Sequence, residues 1–219
     1  MILIKNYINS ENNLSILFYQ KKMIKNVILD MGNTLLKFDP NVSLNKFCSS
    51  EEEKANVRKA LFDSKEWILG DKGEISDKDR FDKVKHYIPE KYHQALKNCS
   101  EHYDICFEPF EGTNELCEYI KNKGYGIYVL SNASDKFYEY FQRWKKLDYF
   151  TGYVVSCDIH MLKPSEEIYR YLLDKYKLKA EECLFIDDLE ANIEGAKKVG
   201  MKGEVFKQNY DEIIKKYNL

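Results

Sequence analysis

Five short apolar runs recur along the chain, and helical patterns separate them. The runs are NVILD (26–30), GIYVLS (126–131), GYVVS (152–156), CLFID (183–187) and, more weakly patterned, GEVF (203–206). Each is strand-length, rich in β-branched or aromatic residues and bounded by Gly, Ser or Asp, which is how a buried strand reads. Between them, TNELCEYIKNKG (113–124) sets Leu116, Tyr119 and Ile120 on one helical face and closes on Gly124, a residue suited to a helix C-terminus. SEEIYRYLLDKYKL (165–178) opens on Ser165 as an N-cap and turns Ile168, Tyr169, Leu172 and Leu173 inward. EANIEGAKKVG (190–200) repeats the plan. Strand and helix in alternation predict an α/β fold, a parallel sheet with helices on both faces.

One region breaks the alternation. Between Phe38 and about Phe107 the residues are polar and charged, with helical stretches around 43–63 and 76–87. Ser76 stands as an N-cap with Asp79 three residues on, a capping box with aspartate where Glu or Gln is usual. So long a stretch exceeds a plain connection. Residues 39–107 are therefore expected to form a helical insertion placed over the carboxyl edge of the sheet, with 23–38 and 108–219 as the core. Residues 1–22 lack the pattern of a signal peptide, and Met23 stands just before the first strand. They read as an N-terminal extension without a catalytic role.

Composition excludes several classes. Charged residues make up 32% of the chain, the formal net charge is −2, and the lysines and arginines are spread out. This argues against nucleic acid and against an anionic membrane surface as partners, and no run is long and apolar enough to span a bilayer. The six cysteines form no CxxC and read as free thiols in a reducing, cytoplasmic setting. The four histidines lack the spacing of a zinc site.

In an open α/β sheet the site forms outside the carboxyl ends of the strands. Asp30 ends the first run, Ser131 and Asn132 the second, Lys163 follows the third, and Asp187 and Asp188 close the fourth. Alone, each has a structural reading: carboxylates cap helices, Ser-Asn is turn chemistry, and lysines are mostly solvated. Together they suit phosphoryl transfer. An anionic nucleophile and a phosphate ester repel each other, and Mg²⁺ held by hard oxygens removes the repulsion. Asp30 and Asp188, with Asp187 behind them and the Gly32 carbonyl as a neutral oxygen, supply such ligands. The Ser131 hydroxyl suits phosphoryl oxygens, with Asn132 beside it as a second substrate-binding residue, and Lys163 brings a fixed positive charge. Asn192, one helical turn after Asp188, suits orienting a ligand from behind.

The segments LDMGNTL, VLSNAS, LKPSEEIY and FIDDLEANIEGAKKVG resemble, in order, the four motifs of the haloacid dehalogenase superfamily. The resemblance runs from about Met23 to the last strand. It implies a Rossmann-like hydrolase working through an aspartyl-phosphate, with Asp30 as nucleophile, Ser131 binding the phosphoryl group, Lys163 neutralising charge, Asp188 on Mg²⁺ and Asp187 a direct or water-mediated ligand. The insertion after the first motif looks like the helical cap of one branch. A small phosphorylated metabolite is the implied substrate.

The departure is Gly32, where most phosphatases of the superfamily carry an aspartate acting as acid and base. The D-x-G-N form, GEIS in the cap and KPxxxIY after the third strand are similar to a sugar-phosphate branch that includes a glucose-1-phosphate phosphatase. The alternatives are a metal-independent 2-haloacid dehalogenase, for which the Asp187–Asp188 pair is hard to explain, and a catalytically weak binding or regulatory protein on the same fold. A receiver domain is set aside because its acidic pair ends the first strand. A mutase ranks low because it needs the second aspartate to return a proton. Asp39, at the neck into the cap, is a weak candidate for the missing acid; an exposed turn carboxylate before Pro40 is the simpler reading. Without an acid, turnover is expected to favour esters with good leaving groups.

Overall fold

The computed structural model describes residues 24–142 and 147–219. The N-terminal extension lies outside the described residues. The main sheet has five parallel strands in the order β5-β4-β1-β6-β7: β1 Asn26–Leu29, β4 Gly126–Ser131, β5 Gly152–Val155, β6 Cys183–Asp187 and β7 Lys202–Val205. β1 is central, and the chain leaves it first toward β4 and β5 and later toward β6 and β7. The order reverses at β1, which puts the crevice at its carboxyl end.

Alternation along the strands divides the core in two, as a pleat with a side-chain period of two requires. Val27 and Leu29 face one side with Ile127, Val129, Leu184 and Ile186. There they meet Leu116 and Ile120 of α6 (Thr113–Asn122), Phe137 of α7 (Phe137–Gln142) and Ile213 of α11 (Tyr210–Tyr217). Ile28 faces the other side with Leu130 and Phe185, against Ile168 and Leu172 of α9 (Glu166–Tyr176) and Ile193 and Ala196 of α10 (Glu190–Lys198). Each such aliphatic side chain taken fully out of water contributes about 1.5–3 kcal/mol. Gly124 follows α6 in the left-handed region, φ 83°, which a residue without Cβ adopts freely. Ser165 precedes α9, but its hydroxyl donates to Glu167 Oε2 at 2.7 Å instead of accepting a helix N–H.

The insertion is helical, with more breaks than its composition suggests. It comprises α1 (Asn41–Phe47), α2 (Glu51–Leu61), α3 (Lys65–Asp71), α4 (Asp77–Val84) and α5 (His93–His102). The expected stretch 43–63 is thus two helices, because Ser50 caps α2 by accepting the Glu53 N–H at 3.2 Å. Ser76 caps α4 through the Asp79 N–H at 3.2 Å, and the Asp79 carboxylate takes the Ser76 hydroxyl at 2.8 Å. These helices share a separate core of Leu44, Val57, Leu61, Val84 and Leu96. The neck is an antiparallel ribbon, β2 (Leu36–Phe38) on β3 (Phe107–Pro109), with Phe38 and Phe107 stacked at 4.7 Å.

Several contacts tie the insertion to the core, among them a hydrogen-bonded carboxylate and a close backbone approach. Asp77 Oδ2 accepts from Tyr103 Oη (2.9 Å), Ser134 Oγ (2.6 Å) and Lys136 N (2.9 Å). Burial opposes the charge on Asp77, but Arg80 and these donors outweigh it and hold the carboxyl below its ordinary value. At Gly73, φ 77°, the backbone meets the Cys157 carbonyl oxygen so closely that a Cβ would overlap it. No helix among the described residues is long and apolar enough to cross a membrane.

Candidate active site

β1 ends at Leu29, so Asp30 leaves the sheet at its central carboxyl edge. Its neighbours are delivered the same way: Ser131 ends β4 and Asp187 ends β6. Carboxylate oxygens of Asp30, Asp187 and Asp188 lie within 4.8 Å of one another. Lys163 enters between them. Its ammonium donates to Asp30 Oδ1 (2.6 Å), Asp187 Oδ2 (2.7 Å) and the Leu130 carbonyl (2.9 Å), so all three protons of the ammonium have acceptors. With three carboxylates and one ammonium, the centre carries two formal negative charges in excess.

Electrostatics follow from burial and crowding. Burial raises the Asp30 carboxyl to about 7; Lys163 opposes the shift and Asp187 adds to it. Burial works against the charge on Lys163, yet Asp30 and Asp187 hold its ammonium above the ordinary value. Asp188 is raised by burial first and by the Asp187 charge second. Hard oxygen donors with negative charge in excess, opening on a cavity, fit a divalent cation such as Mg²⁺.

The geometry divides the acidic pair. Both Asp187 oxygens are engaged: Oδ1 accepts from Leu189 N (2.9 Å) and Asn192 Nδ2 (2.9 Å), and Oδ2 from Lys163 and Asn192 Nδ2 (3.0 Å). Asp188 faces the cavity instead. Asn192 thus orients Asp187. Asn132 lines the cavity, but its amide also clamps the Lys163 backbone, accepting from Lys163 N (2.9 Å) and donating to Lys163 O (3.0 Å). Asp39 sits in the turn into α1, where it accepts the Asn41 N–H at 3.0 Å.

The cavity measures about 240 Å³. Asp30, Gly32, Ser131 and Asp188 line it from the strand ends, and Phe38, Trp67, Asp71, Tyr103, Phe107 and Tyr140 from the insertion, the neck and α7. Phe107 stacks on Tyr140 at 4.1 Å, and the Arg80 guanidinium lies 4.6 Å above the Trp67 ring, which holds the aromatic wall in place. Sequence reasoning missed this far wall. Trp67 and Asp71 lie in a short helix, too brief for periodicity to orient.

Fold and site together define a Rossmann-like hydrolase with an aspartate-rich centre. Residues 24–200 match the haloacid dehalogenase-like hydrolases, and the chain belongs to that family. It is similar to the sesquiterpene phosphatase astK of Aspergillus oryzae, 24% identical over 180 residues covering 82% of this chain and 88% of that protein. It is 30% identical over 103 residues to the pyrophosphatase PpaX of Bacillus mycoides, 47% of this chain and 48% of the relative. It spans only 16% of the bifunctional epoxide hydrolase 2 of Mus musculus, at 33% identity over 87 residues. Among solved structures, a family enzyme of Bacteroides thetaiotaomicron, an aspartate-to-alanine variant complexed with magnesium and inorganic phosphate, superposes with TM-score 0.69 at 20% identity, over 87% of this chain and 98% of that one. A 2-haloacid dehalogenase of Pseudomonas syringae pv. Tomato gives 0.59 at 18% identity, over 84% and 86%. These two share the fold.

Proposed function

We propose that the protein is a Mg²⁺-dependent phosphatase that hydrolyses a small phosphate monoester through an aspartyl-phosphate on Asp30. The observation that carries this reading is the cluster of Asp30, Asp187 and Asp188 around Lys163, with Asp30 and Asp188 open to a cavity of small-metabolite size. A 2-haloacid dehalogenase, which needs no metal, has no use for that acidic excess. The relatives named as phosphatase and pyrophosphatase support the same reading.

Asp30, Asp188 and the Gly32 carbonyl would hold Mg²⁺, whose positive charge would relieve repulsion between carboxylate and phosphate. Asp30 attacks phosphorus with an oxygen not engaged by Lys163. The Ser131 hydroxyl holds a phosphoryl oxygen, and Lys163 stabilises charge at the centre from behind Asp30. Asp187, pinned by Asn192 and Leu189, keeps Lys163 in place. The helical insertion acts as a cap that excludes water and reads the leaving group, and sugar phosphates suit its mixed polar and aromatic wall.

The test is phosphate release from a panel of monoesters, with Mg²⁺ and with chelator. Release only with Mg²⁺ is expected; release of halide from 2-haloacids without metal would replace this reading with its rival. A binding readout runs beside it. Mg²⁺ at a hundred times its Kd is expected to stabilise the fold by about 2.7 kcal/mol, roughly 5–11 °C in Tm for a domain of this size. Asp188→Asn should abolish the shift.

A second expectation concerns the cap. Trp67→Ala should lower kcat/KM for esters with bulky leaving groups on the order of 10-fold or more, with little change on a small generic ester, because an apolar wall discriminates by contact. Equal losses on both would mean that Trp67 does not face the leaving group.

A further inference from the structure

Gly32 leaves the position two residues after Asp30 without a side chain, and a Cβ there would meet nothing within 4 Å. In an in-line displacement the leaving oxygen departs opposite the attacking one. It therefore points away from Asp30, toward the wall built by the insertion. One carboxylate stands in that wall. Asp71, the last residue of α3, lines the same cavity as Asp30 and Gly32.

Asp71 is held against the core, although it belongs to the insertion. Its carbonyl accepts from Ser156 Oγ, the next carbonyl, of Lys72, meets His160 Nδ1 at 3.0 Å, and Gly73 rests on the Cys157 carbonyl. Its carboxylate, by contrast, takes no hydrogen bond from any described residue. The neighbouring cation, Arg80, pairs with Asp77 at 2.7 Å and donates to Asp77 and to the Trp67 carbonyl, with no hydrogen bond to Asp71.

We propose that Asp71 is the general acid and base of this enzyme, acting from the cap across the cavity in place of the side chain missing at Gly32. The proposal rests on the phosphatase reading above. In the first half-reaction an Asp30 oxygen bonds to phosphorus, the bond from phosphorus to the ester oxygen breaks with its electron pair on that oxygen, and the Asp71 proton moves to it. In the second, water attacks the aspartyl-phosphate and gives a proton to the Asp71 carboxylate. The bond between phosphorus and Asp30 breaks, inorganic phosphate leaves, and Asp71 is protonated again.

The surroundings agree with this role. Burial raises the Asp71 carboxyl to about 8, Arg80 opposes and Asp77 adds, so the proton is present at neutral pH. The other groups facing it are Tyr140 of α7 and Cys157, in the short helix α8 (Ser156–Ile159), both held neutral by burial and by nearby carboxylates. An ionised Asp71 would repel a phosphate ester; a protonated one donates to it.

The experiment compares wild type, Asp71→Asn and Asp71→Glu with Mg²⁺ on monoesters of graded leaving-group pKa, with folding checked by circular dichroism. Because kcat/KM reports steps up to aspartyl-phosphate formation, the Asn variant should lose ~10²–10⁴-fold on alkyl phosphates and little on p-nitrophenyl phosphate. It should also accumulate phosphoenzyme and lack the fall of kcat/KM at alkaline pH, while the Glu variant recovers part of the loss. Independently, a side-chain carboxyl carbon resonance titrating near pH 8 should vanish in the Asn variant. A loss equal across all leaving groups, a change confined to KM, or an Asn variant indistinguishable from an active wild type overturns the proposal and leaves the phosphatase reading intact. A wild type that releases no phosphate even from p-nitrophenyl phosphate overturns both.

Discussion

Asp30→Asn is expected to reduce phosphate release on the order of 10⁴-fold or more, the scale of losing a nucleophile. The amide is a poor nucleophile and cannot form the aspartyl-phosphate. The fold should survive. Asp30 sits in a crowded acidic centre where burial already disfavours its charge, and Lys163 keeps its partner Asp187 at 2.7 Å. Metal-free Asp30→Asn should therefore melt no lower than wild type. Rates with Mg²⁺ and thermal melts in chelator check both halves, and activity within tenfold of wild type would remove Asp30 from its assigned role.

Lys163→Met should have the largest effect on stability. It leaves Asp30 and Asp187 buried without their shared cation, and breaking a buried pair costs about 3–5 kcal/mol, roughly 6–20 °C in Tm for a domain of this size. The pH dependence has a definite sign. A carboxyl whose pKa is raised by folding holds its proton in the folded state where the unfolded chain has released it, so stability falls as pH rises from the unfolded value, about 3.9. In wild type the Asp30 window closes near about 7. Without Lys163 it should widen upward, so acidification should recover part of the lost Tm, and so should Mg²⁺. A variant that melts like wild type at neutral pH would show that the lysine is not needed to hold the centre together.

Both predictions use residues that could be named from the chain alone. Asp30, Ser131 and Asp187 each follow an apolar run with no intervening loop, so once the runs are strands of one parallel sheet, their ends share an edge. Division of labour within the site was not legible in this way. Asp187 and Asp188 are adjacent and chemically identical, yet one is enclosed by Lys163, Asn192 and the Leu189 N–H while the other meets the cavity. The backbone direction at the end of β6 decides which is which. Asn132, read as a substrate contact, also braces the Lys163 backbone, 31 residues away.

Local order is written in neighbouring residues, because strand and helix periods, caps and turns depend on contacts a few positions apart. The α/β class, and the common edge at which the strand-end residues gather, therefore followed from the order of residues. The far wall did not. Trp67 and Asp71 acquire their position through Asp77 on Ser134 and Lys136, and through Asp71 and Gly73 on Ser156 and Cys157. Those contacts span more than fifty residues, and only the packed chain brings a carboxylate from the insertion to the cavity that Gly32 also lines.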